Sequence, residues 1–143
     1  MKKRSPEHDI QAAFFAWVHY LEPHYPRLRL IYAIPNGGHR DIRTAMRLKA
    51  EGVRAGVPDV LLSHPNLDNT KHGLYIEFKA GKNKLTKEQA YFFVTARSVG
   101  YECVECHEWG EAAAHVVRWL GMAAECLLVG GNSGEISVKT ATL

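Results

Sequence analysis

Glu77 and Lys79 stand two residues apart in LYIEFKAGKN (Leu74–Asn83), with Phe78 between them. The stretch opens like a strand, and successive side chains of a strand point to opposite faces. Glu77 and Lys79 therefore share one face, while Phe78 anchors the other. A second acid comes within reach through the hairpin. Segments 59–63 and 73–79 are joined by a polar loop centred near Asp68. Antiparallel pairing about that centre sets Asp59 across from Glu77 to Lys79, and directly opposed Cβ atoms sit roughly 4.5–5.5 Å apart. Three ionisable groups thus converge at one end of one hairpin.

Two carboxylates at that spacing repel, and one takes up a proton unless something compensates. A hard divalent cation compensates directly, and Mg²⁺ is commonly held by one or two carboxylates, waters and substrate phosphates. A lysine beside it can orient or deprotonate an attacking water. The plainer alternative is an acid–lysine pair on an exposed strand face, which contributes little. That alternative suffices for an isolated Glu-x-Lys. It does not account for Asp59 arriving alongside, between two basic segments.

Those segments flank the hairpin acids. From His39 to Gly56 the chain carries Arg40, Arg43, Arg47, Lys49 and Arg54 against Asp41 and Glu51; from Lys79 to Lys87 it carries Lys79, Lys82, Lys84 and Lys87 and no acid. Each is either a solvated face or a phosphate-binding surface. Pro35-Asn36-Gly37-Gly38 reads as a strand-ending turn. Its glycines also let backbone approach a phosphate closely. His39 and Arg40 follow at a helix N-terminus, itself an anion site. Asn36, Gly37, Gly38, His39, Arg40, Arg43, Arg54, Lys82, Lys84 and Lys87 are therefore the candidate phosphate-contacting residues. Phosphate contacts position a duplex and carry no sequence information.

The elements that must hold these groups follow from periodicity. The 143 residues, with net charge +3, suit one domain. Ser5-Pro6-Glu7 starts a helix in which Ile10, Phe14, Trp17, Val18 and Leu21 recur at helical spacing, and Pro23 ends it. Leu28–Ile34 reads as a strand. His39–Glu51 reads as a basic helix with Ile42, Ala45, Met46 and Ala50 as its apolar stripe and Gly52 after its end. A short strand at Asp59–Ser63, the strand from Leu74, a helix from Thr86 to Val99, a strand at Tyr101–Cys106 and a helix at Trp109–Leu120 complete the order α-β-α-β-β-α-β-α. That order implies an α/β fold with a mixed sheet covered on both faces. Residues 121–143, broken by Gly130, Gly131 and Gly134, read as a tail or an edge strand.

Other patterns exclude other classes. No run of about 18 apolar residues is present, so no membrane span is expected. The opening MKKRSPEHDIQ lacks an apolar core, so no signal peptide is read and the protein is expected inside a cell. Three cysteines there argue against a disulfide framework. Cys103-Val104-Glu105-Cys106-His107 matches the pattern of covalent haem attachment or half a zinc site. Zinc needs four ligands, and Cys126 is the one cysteine left, so Cys103 is expected as a small core residue and Cys106 and His107 at a strand-to-helix junction.

Pro58-Asp59, then 17 residues, then Glu77-Phe78-Lys79 resembles the PD-(D/E)xK nuclease superfamily, and more narrowly a VRR-NUC domain. The resemblance runs from Glu7 to about Leu120. It includes Glu7 with Gln11, Pro35-Asn36-Gly37-Gly38, Gly52, Gly56-Val57-Pro58-Asp59, Glu77-Phe78-Lys79 and Gln89, with no departure at these positions. The resemblance implies a restriction-endonuclease-like mixed sheet in a domain spanning 1–120. It implies Asp59, Glu77 and the Phe78 backbone carbonyl as ligands of Mg²⁺ or Mn²⁺, with Glu7 acting through water. Lys79 would be the catalytic lysine, and Gln89 would position water or phosphate.

Activity on branched DNA, such as flaps or four-way (Holliday) junctions, is implied in the same way, which makes the phosphates at the candidate contacts those of a DNA backbone. Stand-alone members of phage or prophage origin, which work in the host cytoplasm, are similar in size and act as homodimers that resolve junctions. Residues 121–143 and the aromatic first helix are the expected contributors to such an interface. The rival classes are a non-catalytic nucleic-acid-binding module that keeps the fold, and a restriction-type enzyme that reads sequence.

Overall fold

Ser5 starts the first helix as its sequence requires. In the computed structural model, which describes residues 5–36 and 41–129, its hydroxyl accepts the His8 N–H at 3.2 Å, Pro6 follows, and helix α1 runs Pro6–Leu21. Phe14, Trp17, Val18 and Leu21 make its buried stripe. Trp17 donates its indole N–H to the Cys126 carbonyl at 2.8 Å.

The expected strand from Leu28 is shorter than its apolar run. Residues Pro26–Leu30 form a 3₁₀ helix, with the Tyr25 carbonyl accepting the Leu28 N–H, and strand β1 is confined to Ile31–Ala33. Proline at the start of the segment fixes φ in the helical turn range, so the alternation of apolar residues begins one turn late. Strands β2 (Val60–Leu62), β3 (Leu74–Phe78) and β4 (Glu102–Cys106) complete a sheet in the order β1-β2-β3-β4. The first two pairings are antiparallel and β3–β4 is parallel. A parallel pair needs a crossover, and helix α3 (Lys87–Ser98) supplies it. Helix α4 (Trp109–Leu120) ends on Gly121 in the left-handed conformation.

Alternation along β3 builds two layers. Leu74, Ile76 and Phe78 join the larger core with α1 and α4, where the Phe78 ring lies 5.6 Å from that of Phe14. Tyr75 faces the other way, onto the smaller core of Phe93, Ala96 and Cys103 beneath α3. The sheet is thus mixed and covered on both faces, as the element order predicts.

Three expectations change. Helix α2 spans Ile42–Ala50 with Asp41 as its cap, and none of its residues is buried. Its apolar stripe is real but meets no core, because the nine-residue helix lies on a connection that leaves the sheet after β1 and returns at β2. The packed unit also continues past Leu120: Met122, Cys126 and Val129 belong to the core, and Ala124–Leu128 forms a short 3₁₀ helix. Residues 130–143, including the proposed edge strand, lie outside the described residues. Finally, Phe14 and Trp17 are fully used inside their own domain. Of the aromatic residues of the first helix, Phe14 and Trp17 are therefore not available to an interface, and Phe15 is partly buried against the same core.

Cys103 and Cys106 sit in opposite cores, Cys103 under α3 and Cys106 under α4, as an odd separation on a strand dictates. They cannot chelate one ion together. Burial pushes their thiols up to about 11 and about 12.

Gly56 fixes how the connection returns to β2. Its φ is +86°, and a Cβ there would lie 2.6 Å from the backbone carbonyl of Glu88 in the first turn of α3. Backbone against backbone leaves no flexible atom to yield. Gly56→Ala is expected to cost about 2 kcal/mol, seen as a fall of roughly 5 °C in Tm. An unchanged melting temperature would mean that the close approach is not maintained.

Candidate active site

The hairpin register extends directly into the site. Val60 pairs with Ile76, so the next position outward sets Asp59 against Glu77, within the range the loop centre predicted. Asp59 Oδ2 accepts the Phe78 N–H at 2.8 Å. The N–H and C=O of one strand residue project from the same strand edge, so the Phe78 carbonyl opens on the Asp59 side. Lys79 turns the other way and donates its N–H to the Cys106 carbonyl. The Asp59 carbonyl in turn accepts the Ile34 N–H at 2.7 Å, which joins β1 to the same end of the sheet.

Glu77 and Lys79 are buried, at 4% and 7% exposure. Lys79 Nζ lies 3.6 Å from Glu77 Oε1. Gln89 Nε2 donates to the same oxygen at 2.7 Å. Glu77 Oε2 is buried with no hydrogen-bond partner among the described residues. Burial, and then the charge of Asp59, push the Glu77 carboxyl up from 4.5 to about 7, against the pull of Lys79. Asp59 is also pushed up, chiefly by burial and further by the charge of Glu7, against the Phe78 N–H and Lys79. Two desolvated carboxyls, one raised by the charge of the other and both raised despite Lys79, are a site short of positive charge.

A hard cation fits that deficit. The orphaned Glu77 Oε2, the Asp59 carboxyl and the Phe78 carbonyl are all oxygen donors, which suits Mg²⁺ or Mn²⁺ rather than zinc. Among the described residues no group of three or more His, Cys, Asp or Glu side chains gathers as a metal cage. A cation that retains several waters does not require one.

Glu7 reaches the site from the opposite layer. Its Oε1 accepts the Ala80 N–H at 3.3 Å and the Asn83 side-chain amide at 3.2 Å. It closes the loop after β3 onto the first turn of α1, and its charge is felt at Asp59. Gln89 is held by a capping box. Its Oε1 accepts the Thr86 N–H at 2.9 Å while the Thr86 hydroxyl accepts the Gln89 N–H at 3.2 Å. The amide is thereby oriented with its NH₂ toward Glu77.

The expected DNA-contacting residues divide. Arg43, Arg54, Lys82, Lys84 and Lys87 are exposed. Asn36 is partly buried and its side-chain amide clasps the Val57 carbonyl at 3.0 Å, so it joins the two stems of the β1–β2 connection. Gly37, Gly38, His39 and Arg40 lie outside the described residues. Two features escaped the sequence reading. One is Asn83, which clasps Glu7 across 76 positions and leaves no sequence signal. The other is the pair Glu105–His107 at 3.0 Å. Glu105 is the register partner of Glu77 on β4, so it shares its face. The pair lines an open groove with Lys82, Asn83, Lys84 and Leu85. The parallel register of β3 and β4, once known, would have pointed to it.

Known proteins match this arrangement in two ways. The VRR-NUC domain model matches residues 1–109. A solved structure described as a VRR-NUC domain protein is similar at 21% identity and a TM-score of 0.65, over 84% of this chain and 92% of that one. No curated protein matches the sequence. The structural likeness carries the fold and the match over 109 residues carries the membership: the chain belongs to the VRR-NUC family, with its nuclease-type fold.

Proposed function

We propose that the protein is a Mg²⁺- or Mn²⁺-dependent endonuclease that hydrolyses phosphodiester bonds of branched DNA, such as flaps or four-way (Holliday) junctions, in replication, repair or recombination. The carrying observation is the buried, partnerless Glu77 Oε2 beside Asp59, with the other Glu77 oxygen already held by Lys79 and Gln89. Asp59, Glu77 and the Phe78 carbonyl would hold the ion, with Glu7 contributing through water. When bound, such an ion stabilises charge developing on the phosphate and makes water a better nucleophile.

The chain's own groups do the rest. Lys79, desolvated and fixed by Glu77, orients the attacking water and balances the negative charge that accumulates as it adds to phosphorus. Gln89 keeps the Glu77 carboxylate in one rotamer. Glu7 and Asn83 fix the loop that carries Lys82 and Lys84, so the groove these lysines line with Glu105 and His107 can receive the phosphate backbone. The 3′ or 5′ leaving oxygen takes its proton from solvent. A homodimer would present two such sites to two opposed strands, and a phage or prophage protein acting in the bacterial cytoplasm is the setting that suits this reading. Among the described residues no helix is long and apolar enough to cross a membrane.

Matched duplex, flap and four-way-junction DNA incubated with Mg²⁺ and with EDTA test the proposal. Cutting is expected with Mg²⁺, preferentially of branched substrates, and none with EDTA. Binding without any cutting would favour a non-catalytic module. Equal cutting of random duplex and junction would remove structure selectivity, and cutting restricted to one duplex sequence would indicate a restriction-type enzyme.

A further inference from the structure

Helix α2 is well formed, yet among the described residues none of its side chains is buried. Asp41 caps it twice over, accepting the Thr44 N–H at 2.8 Å and the Thr44 hydroxyl at 2.9 Å, and Gly52 closes it at φ +99°. Yet Ile42 is 79% exposed and Met46 67%. One turn apart, they share a face. Isolated helices of this length are marginal in water and most helices depend on burying an apolar face, and the described residues leave this pair uncovered.

The charge around that face selects the partner. Arg43, Arg47 and Lys49 lie on the helix and Arg54 just beyond it, all exposed. Of the two nearby acids, Asp41 is occupied as the cap and Glu51 lies 3.9 Å from Arg47. The result is a pair of bulky apolar side chains ringed by cations, the composition of elements that insert Ile, Met or Leu between base steps while Arg and Lys hold phosphates. Placement agrees. The stems of the arm are clasped by Asn36 on Val57, two residues before Asp59, and Gly56 is pressed against α3. The arm is therefore rooted beside the site carboxylates. Its nine residues span about 13 Å, close to the width of a DNA major groove of roughly 12 Å.

We infer that α2 is a DNA-inserting arm: Ile42 and Met46 lodge against unstacked bases at a branch or flexible step, while Arg43 and Arg47 hold the flanking phosphates. This rests on the nuclease reading and deepens it, since it makes α2 the element that distinguishes branched from continuous DNA. A continuous duplex must be unstacked to accept the pair, whereas a junction is already open.

Fluorescence anisotropy in EDTA, where no cutting occurs, tests this on the full chain. The ratio of junction to linear-duplex affinity is expected to fall about tenfold or more in I42S/M46S. 2-Aminopurine at the branch point should brighten on binding the unmodified chain and not the variant. R43A/R47A should weaken both substrates and flatten the salt dependence. Both variants should melt like the unmodified chain, since the changed side chains are exposed. An unchanged affinity ratio in I42S/M46S overturns the inference while leaving the nuclease reading intact. A change in sedimentation from dimer to monomer with DNA selectivity retained also overturns it, and would assign the face to a second copy of the chain. An unmodified chain that binds no DNA at all would end both readings.

Discussion

Lys79→Ala is expected to lower single-turnover cleavage of a four-way junction by about a thousandfold, with affinity for the uncut junction changed less than about threefold. Positioned proton-transfer and water-orienting groups contribute roughly 10²–10⁴ in rate. The upper part of that range applies because Lys79 is the cation nearest Glu77 and is itself buried. Removing it leaves Glu77 and Asp59 with no positive neighbour among the described residues. Lys79→Arg separates the two tasks of the side chain. Arginine keeps the charge but stays protonated and carries a planar fork in place of a compact ammonium, so it is expected to fail nearly as badly. Lys82→Ala is the contrasting case: an exposed phosphate contact, its loss should weaken binding and lessen salt dependence without altering the cleavage step. Junction cleavage by Lys79→Ala within tenfold of the unmodified chain would remove the lysine from the chemistry.

Glu77→Gln should make the metal-free protein more stable at pH 8 while leaving it inactive. The folded-state pKa of Glu77, about 7, stands above the ordinary 4.5, so the folded protein binds this proton more tightly than the unfolded chain does. The associated stabilisation is complete below pH 4.5 and is lost as pH rises through 7. The displacement corresponds to an upper bound of roughly 3 kcal/mol. Denaturant unfolding in EDTA should therefore show the unmodified chain losing stability between pH 5 and pH 8. Glu77→Gln should lose much less, because the carboxyl that burial and the charge of Asp59 raise to about 7 no longer titrates. Mg²⁺ should reverse the order at pH 8, stabilising the unmodified chain by mass action and the variant hardly at all. Parallel pH profiles for the two chains would show that the carboxyl pair is not under this repulsion.

The sequence was most legible where the physics is local or arithmetical. The start and span of α1, the whole of α4 and the shared face of Glu77 and Lys79 follow from periods and turn residues alone. The approach of Asp59 to Glu77 needed one further quantity, the centre of a hairpin loop, and the register agrees with it. What could not be read depends on contacts between layers. Nothing in the chain announces that Asn83 meets Glu7, or that the apolar stripe of α2 faces no core. Periodicity reports that a helix has two faces and is silent on whether anything lies against one. Pro26 misled in a smaller way, because its preference for a helical turn overrode the apolar run that follows. Thr86-x-x-Gln89 has the form of a capping box, which the sequence reading passed over, and the pattern does not say that the same amide also reaches Glu77.

That double engagement of Gln89 limits what evolution or design can place there. An amide has one accepting end and one donating end, and both are assigned, the first by the start of α3 and the second by the site carboxylate. Glutamate has the same shape and would set oxygen against oxygen at Glu77. Lysine could donate to Glu77 but could not receive the Thr86 N–H. The position therefore acts as a polarity key, through which the folding signal of a helix and the orientation of a reactive group are written in a single side chain.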